Sequence, residues 1–180
     1  MHITQQSIGY TVGVMNASPV DLLAIISGFS IGLAGFAGIV TAVRGTQSEW
    51  NEAERFFAGN LITTSFFSGF VALFTLCVIG SLSEEWIWRT ASAIQATAAI
   101  LLLADAAYRS NKTPSTEMHL KEKVINSSIF TALGINLLAQ IAVFFNYFIE
   151  AAFPIFYAGL VLHLLIAAIN FYALIFRPAK

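Results

Sequence analysis

Cysteine occurs once in this chain, at Cys77. A single thiol leaves no intrachain disulfide, no paired-cysteine haem attachment and no cysteine-rich zinc cluster. Charge is scarce too: 11% of the residues are Asp, Glu, Lys or Arg, against roughly 25% in soluble domains. The formal net charge is −1. The clustered basic face that a nucleic-acid partner requires is therefore missing, and no nucleic acid is expected. The opening stretch MHITQQSIGYTVGVMNAS has neither Lys nor Arg and no apolar core, so it does not read as a signal peptide.

Other absences narrow the chemistry. No Lys lies inside an apolar run, which excludes a retinal Schiff base, and neither a P-loop nor an HExxH pattern occurs. No ladder of arginines marks a voltage sensor. His2 and His119 fall in polar segments and only His163 falls in an apolar run, which disfavours a bis-histidine haem or a multi-histidine metal site. No metal and no cofactor is expected. Pro154 stands at the start of its apolar run, unlike the mid-helix breaks of many transporters.

What the chain has in abundance is apolar surface: 57% hydrophobic residues and a mean hydropathy of +0.75. At roughly 20 residues per crossing this is enough for five membrane helices. The sequence predicts an all-α polytopic integral membrane protein. Its single domain, residues 1–180, is a five-helix transmembrane bundle with helices at about 19–43, 49–82, 84–109, 117–149 and 154–177. Ser18, Pro19 and Asp21 suit the capped, acidic start of the first helix, Ser48 that of the second, and Ser83 can cap the third.

The charges between the runs alternate. Arg44 and Arg55 follow the first run, and only Glu84 and Glu85 follow the second. Arg109, Lys112, Lys121 and Lys123 follow the third, Glu150 the fourth, and Arg177 and Lys180 close the chain. By the positive-inside rule the N-terminus lies outside and the C-terminus inside. The expected location is a cell membrane, with a bacterial inner membrane as the default. Trp86 and Trp88 fall where an outer aromatic belt would lie, and Trp50 near an inner one. The segment around Thr113-Pro114 reads as a solvated connector with a helix start.

Two patterns carry the candidate sites. On the first helix Ala24, Gly28, Gly35 and Gly38 share one side with Gly32 beside them, a small-residue face that lets another helix come close. Packing against the second or third helix is expected, ahead of a seam between two copies. The second pattern is polar. Asn136, Gln140, Val143, Tyr147 and Glu150 follow i, i+4, i+7, i+11, i+14 on the fourth helix, a single stripe at helical spacing. Asn146 lies at its edge, and Gly159, His163, Ala167, Asn170 and Arg177 form a matching face on the fifth. Gln95 of the third helix reaches the same depth, where Gln95, Asn136, Gln140 and His163 are expected to bond one another. Arg89 and Glu150 stand near the outer boundary and Asp105 near the inner one.

Three functions are compatible with these features. The first is a small non-enzymatic membrane protein acting through helix packing, as a homo-oligomer or as a subunit of a larger membrane complex. The second is a small oligomeric channel or carrier, its polar path lined by the third, fourth and fifth helices. The third is a membrane enzyme on a lipid-like substrate, with His163 as acid or base and Tyr147 or Glu150 nearby. The expected partners are the lipid bilayer and either the chain itself or another membrane protein.

Overall fold

The computed structural model describes residues 18–45, 52–112 and 120–176. These residues form α1 (Pro19–Gly45), α2 (Glu52–Val78), α3 (Glu84–Lys112), α4 (Leu120–Phe144), a 3₁₀ turn (Ile149–Ala151) and α5 (Ala152–Ile175). All five α-helices are long and apolar enough to cross a membrane, the pattern of a multi-pass membrane protein. The expectations at Ser48, Trp50, Thr113-Pro114, Arg177 and Lys180, and the starts at 49 and 117, lie outside the described residues.

Local chemistry sets the helix ends. At the start of α1 the Ser18 hydroxyl accepts the Asp21 N–H at 3.2 Å, while the Asp21 carboxylate accepts the Ser18 N–H at 3.2 Å and the Ser18 hydroxyl at 2.7 Å. This reciprocal capping box satisfies donors that a helix start leaves open. Before α3, the Ser83 carbonyl accepts the Ile87 N–H at 2.9 Å. Helix α2 stops at Val78, short of the expected 82, because Gly80 takes φ 90°. Glycine enters this left-handed region without steric cost.

Helix α4 stops at Phe144, not at 149. Asn146 adopts φ 69°, its N–H donates to the Val143 carbonyl at 2.9 Å, and the Tyr147 N–H donates to the Ala142 carbonyl at 3.0 Å. These are the two bonds of a Schellman motif, with Asn146 at the left-handed position that Asn tolerates better than most residues. Arg89 Nε donates to the Phe144 carbonyl at 3.1 Å and closes another open acceptor. Asn146 thus ends the helix and belongs to no amide stripe.

Helix α5 touches all four other helices and packs most extensively on α2, although α2 is far from it in the chain. Helices α1 and α2 pair closely, as do α3 and α4. Two apolar clusters result. One gathers Leu23, Ile26, Val71, Trp88, Phe156 and Leu160 toward the end that bears Glu84. The other gathers Ala37, Phe56, Phe57, Leu61, Ala167 and Leu174 toward the opposite end. Trp88 is buried against Phe153 and Phe156, with ring centroids 5.1 and 6.1 Å away. Only Trp86 of the expected pair is exposed, because Trp88 points into the bundle.

The close approach of α1 to α2 uses Gly69, where an added Cβ would stand 3.0 Å from Ser30 Cβ. The glycines of α1 take no part in it. Gly28, Gly32, Gly35 and Gly38 are exposed, and a Cβ at any of them would meet nothing within 4 Å among the described residues. Ala24 is exposed beside them. Among the described residues this stripe does not pack on α2 or α3: α1 turns Leu23, Ile26, Ser27, Ser30 and Ala37 inward instead. Gly69→Val should lose about 1–3 kcal/mol of stability by overpacking this contact. Gly35→Ala should be neutral or gain up to about 1 kcal/mol, the helix-propensity difference. Reversible unfolding in mixed detergent micelles measures both.

Candidate functional site: a buried polar waist

Between the two apolar clusters the bundle has a polar layer. Ser30 lies between Ile26 and Ala37 on α1, Ser65 and Ser68 between Leu61 and Val71 on α2, and His163 between Leu160 and Ala167 on α5. Gln95 of α3 and Asn136 and Gln140 of α4 are buried with them. At the centre of an apolar bundle each such group requires a protein partner or incurs a desolvation cost.

The amides find that partner on the backbone of α5. The Gln95 carboxamide, turned so that both ends are matched, donates to the Phe156 carbonyl at 3.2 Å and accepts the Leu160 N–H at 3.1 Å. Phe156 and Leu160 are an i, i+4 pair, so Gln95 lies across one rung of the helix ladder. Gln140 Nε2 donates to Asn136 Oδ1 and to the Ile155 carbonyl, each at 3.2 Å. From the α2 side the Ser68 hydroxyl donates to the Leu160 carbonyl at 3.4 Å. Three helices thus hold one turn and a half of the fifth.

Gly159 makes this possible. A Cβ there would fall 3.0 Å from Gln140 Nε2, 2.5 Å from Asn136 Oδ1 and closer still to the Gln95 carboxamide. Only a residue without a side chain lets all three amides reach the helix.

His163, one turn further along α5, is fully buried, and neither ring nitrogen has a hydrogen-bond partner among the described residues. The same holds for Asn136 Nδ2, Gln140 Oε1 and the hydroxyls of Ser30, Ser65 and Ser92. The Ser68–Leu160 contact sets the register of α2 against α5, which run in opposite directions. One turn beyond it, Thr64 and Ser65 stand at the level of His163.

The remaining predicted residues lie elsewhere. Asn170 is buried but donates to the Ile166 carbonyl of its own helix at 2.8 Å, the local back-bonding common to short polar side chains. Tyr147 is 78% exposed and Glu150 is exposed; the Asn146 turn takes both off the α4 stripe. Both precede α5, whose first residue already stands about three turns from His163, so neither side chain is brought to the imidazole. Arg89 pairs with Glu85 at 3.2 Å, not with Glu150. Asp105 is half-buried on α3, about 15 Å from Gln95 along the helix axis.

Sequence reasoning missed two features. Gly159 was placed on the α5 face but not as the point of convergence; its position midway between Pro154 and His163 was the available signal. Gly28-Phe29-Ser30-Ile31-Gly32 also spells GxSxG. That pattern supplies a nucleophile only on a strand–turn–helix elbow, whereas here it lies inside α1 with Ser30 buried beside Gly69. Among the described residues no group of three His, Cys, Asp or Glu is arranged to hold a metal.

Gly159→Ala should destabilise the bundle by about 2–3 kcal/mol, since the new methyl meets polar atoms that have no alternative partner. Adding Gln95→Ala should recover part of that loss, with a coupling of about 1 kcal/mol or more in a double-mutant cycle. Strict additivity of the two changes would show that the amide and the glycine do not meet.

Comparison with known proteins leaves the reading to this geometry: no family model, no curated protein and no solved structure matches the chain.

Proposed function

We propose that the chain is a non-enzymatic integral membrane protein that works through helix packing, assembling with copies of itself along α1. The observation that carries this is the outward stripe of Gly28, Gly32, Gly35 and Gly38, where an added Cβ would meet nothing within 4 Å among the described residues. Each glycine inside a helix costs about 1 kcal/mol relative to alanine. Small faces of this kind let the backbones of two membrane helices come together, where dispersion and weak Cα–H···O contacts accumulate. The charge alternation supports insertion with the N-terminus outside and the C-terminus inside, in a cell membrane such as a bacterial inner membrane. The Gln95 and Gln140 carboxamides that reach the α5 backbone then serve to fix α5 in the bundle.

Mass photometry or blue-native sizing in mild detergent tests the reading. The wild type should run as a multiple of its 19.5 kDa mass, and Gly28→Leu should reduce it to one copy. A wild type that is strictly monomeric and indifferent to the change would overturn self-assembly, and co-purification with a different membrane protein would point to a subunit of a larger complex.

The second reading, a small channel or carrier, draws on the orphaned polar atoms of the waist, His163 above all. A polar path requires water beside those groups, whereas a packing role requires them dry. Single cysteines at 136, 140 and 163 in a Cys77→Ser background should resist a water-soluble thiol reagent, while one at the exposed position 147 should react. Labelling at all three waist positions would favour the path.

A further inference from the structure

The groove between α2 and α3 has a volume of ≈ 440 Å³ and ends against Phe144 at the close of α4. Its α3 wall runs through Thr90, Ala93, Thr97 and Leu101, a length of about 16 Å at 1.5 Å per residue. Phe67 and Phe70 of α2 form the opposite wall. The groove runs along α3 and its lining is mostly apolar, which suits a hydrocarbon chain.

Its upper end is charged. The Arg89 guanidinium lies 5.9 Å from the Phe144 ring and 4.8 Å from the ring of the exposed Trp86. Arg89 Nε is taken by the Phe144 carbonyl and Nη1 by Glu85, while Nη2 makes no bond among the described residues. Glu84 and Glu85 stand in the first turn of α3, about one turn from Arg89, and both are exposed. The mouth thus offers one cation to a phosphate and two anions to an ammonium, and its surplus of negative charge opposes a headgroup that is itself a net anion.

We infer that this groove binds a zwitterionic phospholipid of the phosphatidylethanolamine type, with one acyl chain between α2 and α3, the phosphate on Arg89 and the primary ammonium on Glu85. Trp86 sets the headgroup depth, as tryptophans do at membrane interfaces. The site rests on insertion in a bilayer and is independent of self-assembly through α1, which lies on another helix. A primary ammonium donates hydrogen bonds to carboxylates, so phosphatidylethanolamine outcompetes phosphatidylcholine, whose quaternary nitrogen has no N–H. Phosphatidylglycerol supplies the phosphate but brings no ammonium to Glu85.

Native mass spectrometry of the delipidated full chain tests this, with the three phospholipids offered at equal concentration and with identical acyl chains. The wild type should retain one phosphatidylethanolamine with about tenfold preference over each competitor, the scale of one charge-assisted hydrogen bond. Ala93→Phe, which fills the groove from a half-buried position, should abolish that retention with an unchanged melting temperature. Glu85→Gln should move the preference toward phosphatidylglycerol and leave the Arg89 cap of α4 in place. Equal retention of the three lipids by the wild type would overturn the inference. So would retention by Ala93→Phe that matches the wild type, or a Glu85→Gln variant with unchanged selectivity.

Discussion

The bundle depends on carboxamides reaching the backbone of α5. Gln95 and Gln140 come from different helices, yet both bond main-chain groups between Ile155 and Leu160. In the low dielectric of a buried layer a matched amide bond is strengthened, so it holds two helices at a fixed height and rotation. Apolar packing alone resists sliding weakly, because lipid offers a side chain nearly the same contacts as a neighbouring helix. The absence of a side chain at Gly159 is the steric condition for the whole arrangement.

The arrangement explains why α5 is the hub. Its inward face carries Phe156, Leu160, Ala167 and Leu174 into the two apolar clusters, while polar contacts pin its backbone from Ile155 to Leu160. Helices α1 and α4, by contrast, keep broad faces outward. On α1 that face is the glycine stripe. The groove between α2 and α3 closes only at Phe144, where the Arg89 cap of α4 brings a guanidinium to its mouth. One side chain thus ends a helix and gives a groove its charged rim.

Much of this was legible in the residues. Five apolar runs of spanning length and the Ser18–Asp21 cap are local or periodic properties, and they appear where their spacing places them. The depth of Gln95, Asn136, Gln140 and His163 was legible too, since depth follows from counting residues along a helix. The partners were not. The amides were expected to meet the side chains of His163 and Asn170, but they meet α5 one to two turns earlier, at its backbone. A backbone acceptor has no sequence signature, and only the absence of a side chain at Gly159 hinted at one. Asn146 was misread because an asparagine on a helical wheel and an asparagine at a left-handed helix end are the same letter. The bonds that separate the two cases depend on where the chain must turn into α5.

By itself, the sequence determined the helical class, the number of helices long and apolar enough to span a membrane, the capped start of α1 and the height of each polar group along its helix, because hydropathy, capping and the roughly 1.5 Å helical rise act along the chain. The tertiary structure decided which way each helix faces its neighbours. It turned the α1 glycines outward, buried Trp88 and left Trp86 exposed, set α5 against α2, and brought the amides to Gly159. A helix rotated by half a turn keeps every local interaction and every depth, so local physics does not distinguish the two orientations. Only the close contacts of all five helices together select one.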